Sequence, residues 1–136
     1  MAKVAVVYWS QTGNTQAMAN AIAEGAADAE VFEVNDFSAD KVVEFDAFAF
    51  GCPAMGAEEL DHDEFEPVWD ACVAKFGPKP VVLFGSYDWG DGEWLRSWEE
   101  DAKGRGVNVV DTLAVNLEPD DEGVAACKAL AAKLEA

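Results

Sequence analysis

Short apolar stretches recur at residues 3–9, 30–35, 47–52, 80–87 and 107–116. Each is of strand length and bounded by polar or turn-forming positions. Between and after them lie longer segments, 14–27, 64–76, 92–103 and 121–134. There apolar residues return at helical spacing, as in Val68, Trp69, Cys72 and Val73, or Trp94, Leu95 and Trp98. Five strands and four helices in this order predict an α/β domain with a parallel sheet and crossover helices on both faces.

The composition of the strands orders them. The first, third and fourth are nearly unbroken apolar runs: Val4-Ala5-Val6-Val7, Ala47-Phe48-Ala49-Phe50 and Val81-Val82-Leu83-Phe84. Strands covered on both faces read that way. The second carries Glu30, Glu33 and Asn35, and the fifth Asn108, Asp111 and Thr112. These two are predicted at the sheet edges. The doubly wound order 2-1-3-4-5 places them there.

Length and charge narrow the possibilities. A chain of 136 residues, 51% of them apolar, predicts a single domain over 1–136 with a core that needs no disulfide or metal. Nine Lys and Arg against twenty-seven Asp and Glu give 9 − 27 = −18. That charge disfavours nucleic acid and anionic membrane surfaces as partners, and its self-repulsion favours a monomer. Five Trp and eight Phe supply the burial that disordered chains lack. No secretory segment is expected at the start, since the apolar stretch 4–9 is too short for one, and no run is long enough for a spanning helix. Cys52, Cys72 and Cys127 form no metal-type pair, so free thiols in a reducing cytoplasm are expected.

Open parallel sheets bind ligands beyond the carboxyl ends of their strands, where the strand order reverses. For this order that point lies between the first and third strands. The loop after the first strand reads Ser10-Gln11-Thr12-Gly13-Asn14-Thr15 and runs into a helix. Such a loop fits a phosphate, held by backbone N–H groups at the helix start and by neutral hydroxyls. No charged residue occurs from Val4 to Ala23. The lysine of a nucleotide-binding P-loop is therefore missing, and so is a GxGxxG finger. The same residues would equally serve as a plain helix cap.

The run Tyr8-Trp9-Ser10-Gln11-Thr12-Gly13-Asn14-Thr15 resembles the phosphate loop of flavodoxins, T/S-x-T-G-N-T. The resemblance continues in Gly51-Cys52-Pro53-Ala54-Met55-Gly56-Ala57-Glu58 and in 84–94, which includes Ser86-Tyr87-Asp88-Trp89-Gly90. It spans most of the chain, whose length is similar to the short-chain members. It implies a flavodoxin-like fold and non-covalently bound FMN. The implied role is a low-potential one-electron carrier shuttling between redox proteins, not an enzyme. By the resemblance, Ser10, Gln11, Thr12, Gly13, Asn14 and Thr15 would hold the phosphate. Pro53, Ala54, Met55, Gly56, Ala57 and Glu58 would line one side of the ring, with Met55 on its face and Glu58 accepting from N3–H. Ser86, Tyr87, Asp88, Trp89 and Gly90 would form the other wall, with Trp89 stacked on the flavin. Trp69, Trp94 and Trp98 belong in the core, Tyr87 in either place. Asn116 or Leu117 is a further candidate for ring contact.

Two controls on the potential are expected. Seven acids lie from Glu58 to Asp70; Asp88, Asp91 and Glu93 follow the fourth strand, and Glu118, Asp120, Asp121 and Glu122 the fifth. One exposed charge at about 10 Å costs roughly 0.4 kcal/mol at water-like dielectric. For one electron that is on the order of 20 mV per acid, and several would lower the potential by about 100 mV. The same field would draw reductases and terminal oxidoreductases with basic docking patches. The second control is the turn 55–58, which in the family flips a peptide toward flavin N5–H. Ala57 and Asp88 depart from the family pattern there and in the opposite wall. Ala57 would weaken stabilisation of the half-reduced flavin if its φ is positive, and the Asp88 carboxylate would add repulsion.

His62 stands alone in the acidic loop and reads as a surface residue. The 61–66 acids lack the spacing of an EF-hand loop. Cys52 is expected to be a buried small hydrophobe. The alternatives are an FMN-dependent reductase and a receiver-like signalling domain. The latter would carry an Asp at the end of the third strand, where Phe50-Gly51-Cys52 stands.

Overall fold

The computed structural model describes residues 3–9, 13–54, 60–87, 92–116 and 118–134. Its five strands are β1 (Val4–Tyr8), β2 (Ala29–Glu33), β3 (Ala47–Gly51), β4 (Pro80–Tyr87) and β5 (Asn108–Asn116). Its α-helices are α1 (Asn14–Gly25), α2 (Phe65–Val73), α3 (Glu93–Gly104) and α4 (Asp121–Ala132). The strands form one parallel sheet in the order β2-β1-β3-β4-β5. The two polar strands are at the edges, where one side of each ladder faces water. The element ends differ from the expected ones by a few residues, as fraying ends do.

Alternation along the central strands sends side chains to two cores. Ala5, Val7, Phe48, Phe50, Val81 and Leu83 face α2 and α3, where Phe65, Trp69 and Trp98 meet them. Val4, Val6, Ala47, Ala49, Val82 and Phe84 face α1 and α4, against Met18, Ile22, Cys127 and Leu130. Trp69, Trp94 and Trp98 are all buried, as expected.

One stretch has structure that the periodicity does not predict. Two 3-10 helices, Val34–Asp36 and Ala39–Glu44, occupy the connection from β2 to β3. Residues 34–35, expected to end the second strand, belong to the first of them. Val34, Phe37, Val42 and Phe45 are buried. A spacing of three within each pair suits a 3-10 turn, in which positions i and i+3 eclipse. Lys79 closes this connection, its ammonium donating to the carbonyls of Val42 at 3.2 Å and Phe45 at 2.7 Å.

β5 bulges against β4. Val81 pairs with Val109 and Val82 with Asp111, which leaves Val110 as the extra residue. Among the described residues, no helix is long and apolar enough to cross a membrane.

Candidate functional site

Each helix runs antiparallel to the strands, so helix starts and strand ends share one edge of the sheet. β1 and β3 end in register, Tyr8 beside Gly51, and β4 continues past them, Gly51 beside Phe84. The backbone ladder then extends beyond the strands. Trp9 N–H donates to the Gly51 carbonyl at 3.0 Å, Cys52 N–H to that of Phe84 at 3.1 Å, and Ala54 N–H to that of Ser86 at 3.1 Å. Pro53 and Ala54 are thereby tied alongside Ser86 and Tyr87. Gly85 makes the approach possible, because a Cβ there would sit 2.2 Å from the Cys52 carbonyl oxygen. Trp94 adds a third tie, its indole N–H donating to that same oxygen at 3.1 Å.

α1 starts at this edge too. Gly13 caps it with φ 96° and no side-chain hydrogen bond, and the first turn carries no acid. Glycine is required there by the positive φ, and among the described residues no atom outside its chain neighbours lies within 4 Å of a Cβ built on it. The helix start therefore presents partial positive charge at this edge. Thr15, fully buried, meets Ser86 from β4, with hydroxyl oxygens 3.1 Å apart. The Ser86 N–H also donates to Thr15 Oγ1 at 3.4 Å. Two hydroxyl hydrogens share one hydroxyl–hydroxyl bond, so one remains uncommitted among the described residues. An anion at the α1 start would meet neutral donors only.

Seven of the expected cofactor residues are described: Gly13, Asn14, Thr15, Pro53, Ala54, Ser86 and Tyr87. All lie at this edge, contributed by the start of α1 and the ends of β3 and β4. Ser10, Gln11, Thr12, Met55, Gly56, Ala57, Glu58, Asp88, Trp89 and Gly90 fall outside the described residues, and so does Leu117. Tyr87 is half-buried, its ring 5.6 Å from that of Trp94. The Asn116 amide donates to the Tyr87 carbonyl at 3.1 Å, binding the end of β5 to that of β4.

The acids beside the site are engaged in ways their spacing does not reveal. The Asp61 carboxylate accepts from the N–H groups of Glu64 at 2.7 Å and Phe65 at 2.9 Å, capping α2. The Glu64 carboxylate accepts from the Trp9 indole at 3.4 Å and from the Asn35 amide. It thus joins the residue before the Ser10 loop to the α2 start. His62 is exposed, its Nδ1 2.9 Å from Glu66. Burial first, then the charges of Glu33 and Asp36, push the Tyr8 phenol above its ordinary pKa. Cys52 is fully buried, and burial pushes its thiol up to about 12.

Acids stand at both edges, and bases gather at one, where acids such as Glu24, Asp101 and Asp111 pair with them. The acids of 61–66, Glu93, and 118–122 stand at helix starts, at the candidate edge. Lys3, Lys79, Lys103, Arg105, Lys128 and Lys133 lie toward the opposite edge, at strand starts or helix ends.

A family model for Flavodoxin matches residues 6–129. The flavodoxin of Megasphaera elsdenii is 43% identical over 122 residues, which cover 87% of this chain and 89% of that protein. That of Clostridium beijerinckii is 46% identical over 121 residues, covering 85% and 88%. The solution structure of two-electron reduced Megasphaera elsdenii flavodoxin matches the fold with a TM-score of 0.88 at 42% identity. That match covers 98% of this chain and 99% of the other.

Proposed function

The chain belongs to the flavodoxin family, and from that premise we propose which of its residues hold the flavin and how they set its potential. As a flavodoxin it is an FMN-binding electron-transfer protein that works between redox proteins, and not an enzyme. FMN supplies the chemistry, taking up and releasing electrons at its ring system.

The phosphate is assigned to Ser10, Gln11, Thr12, Gly13, Asn14 and Thr15. The ring is assigned to the space between Pro53, Ala54, Met55, Gly56, Ala57 and Glu58 on one side and Ser86, Tyr87, Asp88, Trp89 and Gly90 on the other. One observation carries this reading: the buried Thr15–Ser86 contact joins the α1 start to the end of β4 with a hydroxyl hydrogen to spare. A phosphate dianion suits such a place, because the first α1 turn offers donors and no competing carboxylate. Neutral donors hold the dianion without cancelling its charge, so the flavin stays in a negative surround.

The acids at the same edge add to that surround, and the protein is therefore a low-potential carrier. They also favour partners that present basic patches. A reducing, cytoplasmic setting is supported by three free, buried thiols. A monomer is supported by self-repulsion at a net charge of −18.

Reconstitution with FMN and with riboflavin tests the phosphate assignment, since riboflavin lacks only the phosphate. Several hydrogen bonds to a charged acceptor, each worth about 1.5–3 kcal/mol, predict that riboflavin binds more than about a hundredfold more weakly. Equal affinities would overturn the assignment. For the potential and the partners, added salt should raise the midpoint by tens of mV, on the order of the charge effect worked above. It should also slow electron transfer to a basic acceptor protein. Insensitivity of both to salt would contradict the electrostatic reading.

A further inference from the structure

Three tryptophans are buried on α2 and α3, and one of them differs from the others. Trp69 and Trp98 leave their indole N–H groups without a partner among the described residues, whereas that of Trp94 reaches the Cys52 carbonyl at 3.1 Å. This carbonyl belongs to the peptide unit that joins Cys52 to Pro53. Proline has no N–H, so the carbonyl is the only hydrogen-bonding group of that unit. The donor that meets it therefore fixes the plane in which the chain leaves β3 for residues 53–58.

The opposite wall rests on the same side chain. The Tyr87 ring lies 5.6 Å from the Trp94 ring, tilted by 50°. A Cβ on Gly85 would fall 3.0 Å from Trp94 Cζ2, so the backbone of β4 runs close against the indole. One side chain thus holds both strand ends from which the two walls depart, β3 through its N–H and β4 through its ring. It stands in the first turn of α3, buried in the core with Phe65 and Trp98. Helix packing and site geometry meet in it.

We propose that Trp94 is a positioning residue for the flavin ring, setting the spacing between Pro53 and Ala54 on one side and Ser86 and Tyr87 on the other from behind both. A flat ring held between two walls is sensitive to their separation, since a gap wider by about 0.5–1 Å forfeits roughly a quarter to a half of each atomic contact. Holding the walls in place beforehand also removes the cost of ordering them when the ring arrives. The inference rests on the assignment of these two segments to the ring.

The test compares Trp94→Phe, which keeps an aromatic ring beside Tyr87 and removes the N–H, with Trp98→Phe, which lies one helical turn on in the same core and breaks no hydrogen bond seen among the described residues. Both should lose stability in urea. Only Trp94→Phe should bind FMN and riboflavin more weakly, each by about two- to tenfold, the span of one neutral hydrogen bond. The ratio of the two affinities should stay as in the parent, because the phosphate contacts are untouched. At saturation the visible absorption of the bound flavin should shift in Trp94→Phe and not in Trp98→Phe. Unchanged affinities in Trp94→Phe, a loss matched by Trp98→Phe, or a changed ratio would overturn the proposal. Where Trp94→Phe takes up no flavin, the nitrogen-15-labelled parent decides. On riboflavin binding its Trp94 indole N–H signal should shift more than that of Trp98, and equal shifts would overturn the positioning role. The ring assignment fails separately, if riboflavin leaves the parent's Ala54, Ser86 and Tyr87 amides unshifted.

Discussion

Thr15→Val removes one hydroxyl while keeping the side-chain shape, at a fully buried position. Ser86 then loses the acceptor for its N–H at 3.4 Å and the partner of its hydroxyl at 3.1 Å. Leaving a buried polar group unsatisfied costs about 1–3 kcal/mol, a large part of a stability of about 5–15 kcal/mol. Urea unfolding of the apoprotein should register that loss. In Thr15→Val with Ser86→Ala the orphaned hydroxyl is gone, and part of the stability should return. FMN affinity should behave differently. If the Thr15 hydroxyl donates its spare hydrogen to the phosphate, its removal costs about 1.5–3 kcal/mol, or roughly ten- to a hundredfold in Kd. Quenching of free-flavin fluorescence on titration reads this directly. Thr15→Ser should restore most of the binding, and the double variant should restore none. An affinity within about twofold of the parent in Thr15→Val would show that the phosphate lies elsewhere.

Three further outcomes are expected. Gly85→Ala should destabilise the protein by about 1–3 kcal/mol or more and weaken FMN binding, because its Cβ falls 2.2 Å from the Cys52 carbonyl oxygen and pushes 52–54 off β4; urea unfolding and flavin titration measure both, and a parent-like variant would contradict the packing. Burial works to raise the Asp111 pKa, but the Lys133 ammonium at 2.7 Å and the Thr112 N–H outweigh it and hold the carboxyl below its ordinary 3.8. The contribution is present above the ordinary value and lost as pH falls through the lowered one, so Lys133→Met should lower the urea midpoint at pH 7 and converge with the parent at acid pH; a constant gap would refute this. Cys52, Cys72 and Cys127, with burial pushing their thiols to about 12, 12 and 11, should not react with a disulfide reagent at pH 8 until guanidinium unfolds the chain.

Strand order was legible because burial writes itself into composition. A strand sandwiched between helices tolerates few polar residues, whereas Glu30 and Glu33 on β2, or Asn108 and Asp111 on β5, can sit only where one ladder face is wet. The 34–45 connection was not legible. Its buried residues are spaced by three within short pairs, which is neither the strand nor the helix period. Site residues could be placed at strand ends from sequence, since helix starts and strand ends meet there by topology. Their partners could not. Thr15 and Ser86 are separated by 71 positions. The Glu64 link to Trp9 spans 55, and no local pattern encodes either meeting. The acids of 61–66 look alike in sequence, yet Asp61 caps a helix, Glu64 joins two elements and Glu66 pairs with His62.

The most direct probe of where the cofactor sits is a through-bond correlation between its phosphorus-31 nucleus and amide nitrogens of the labelled, FMN-loaded protein. Couplings to amides within residues 10–15, with shifts at Ala54, Ser86 and Tyr87, are expected. Couplings to amides at the opposite edge of the sheet, or no uptake of FMN at all, would contradict the assignment.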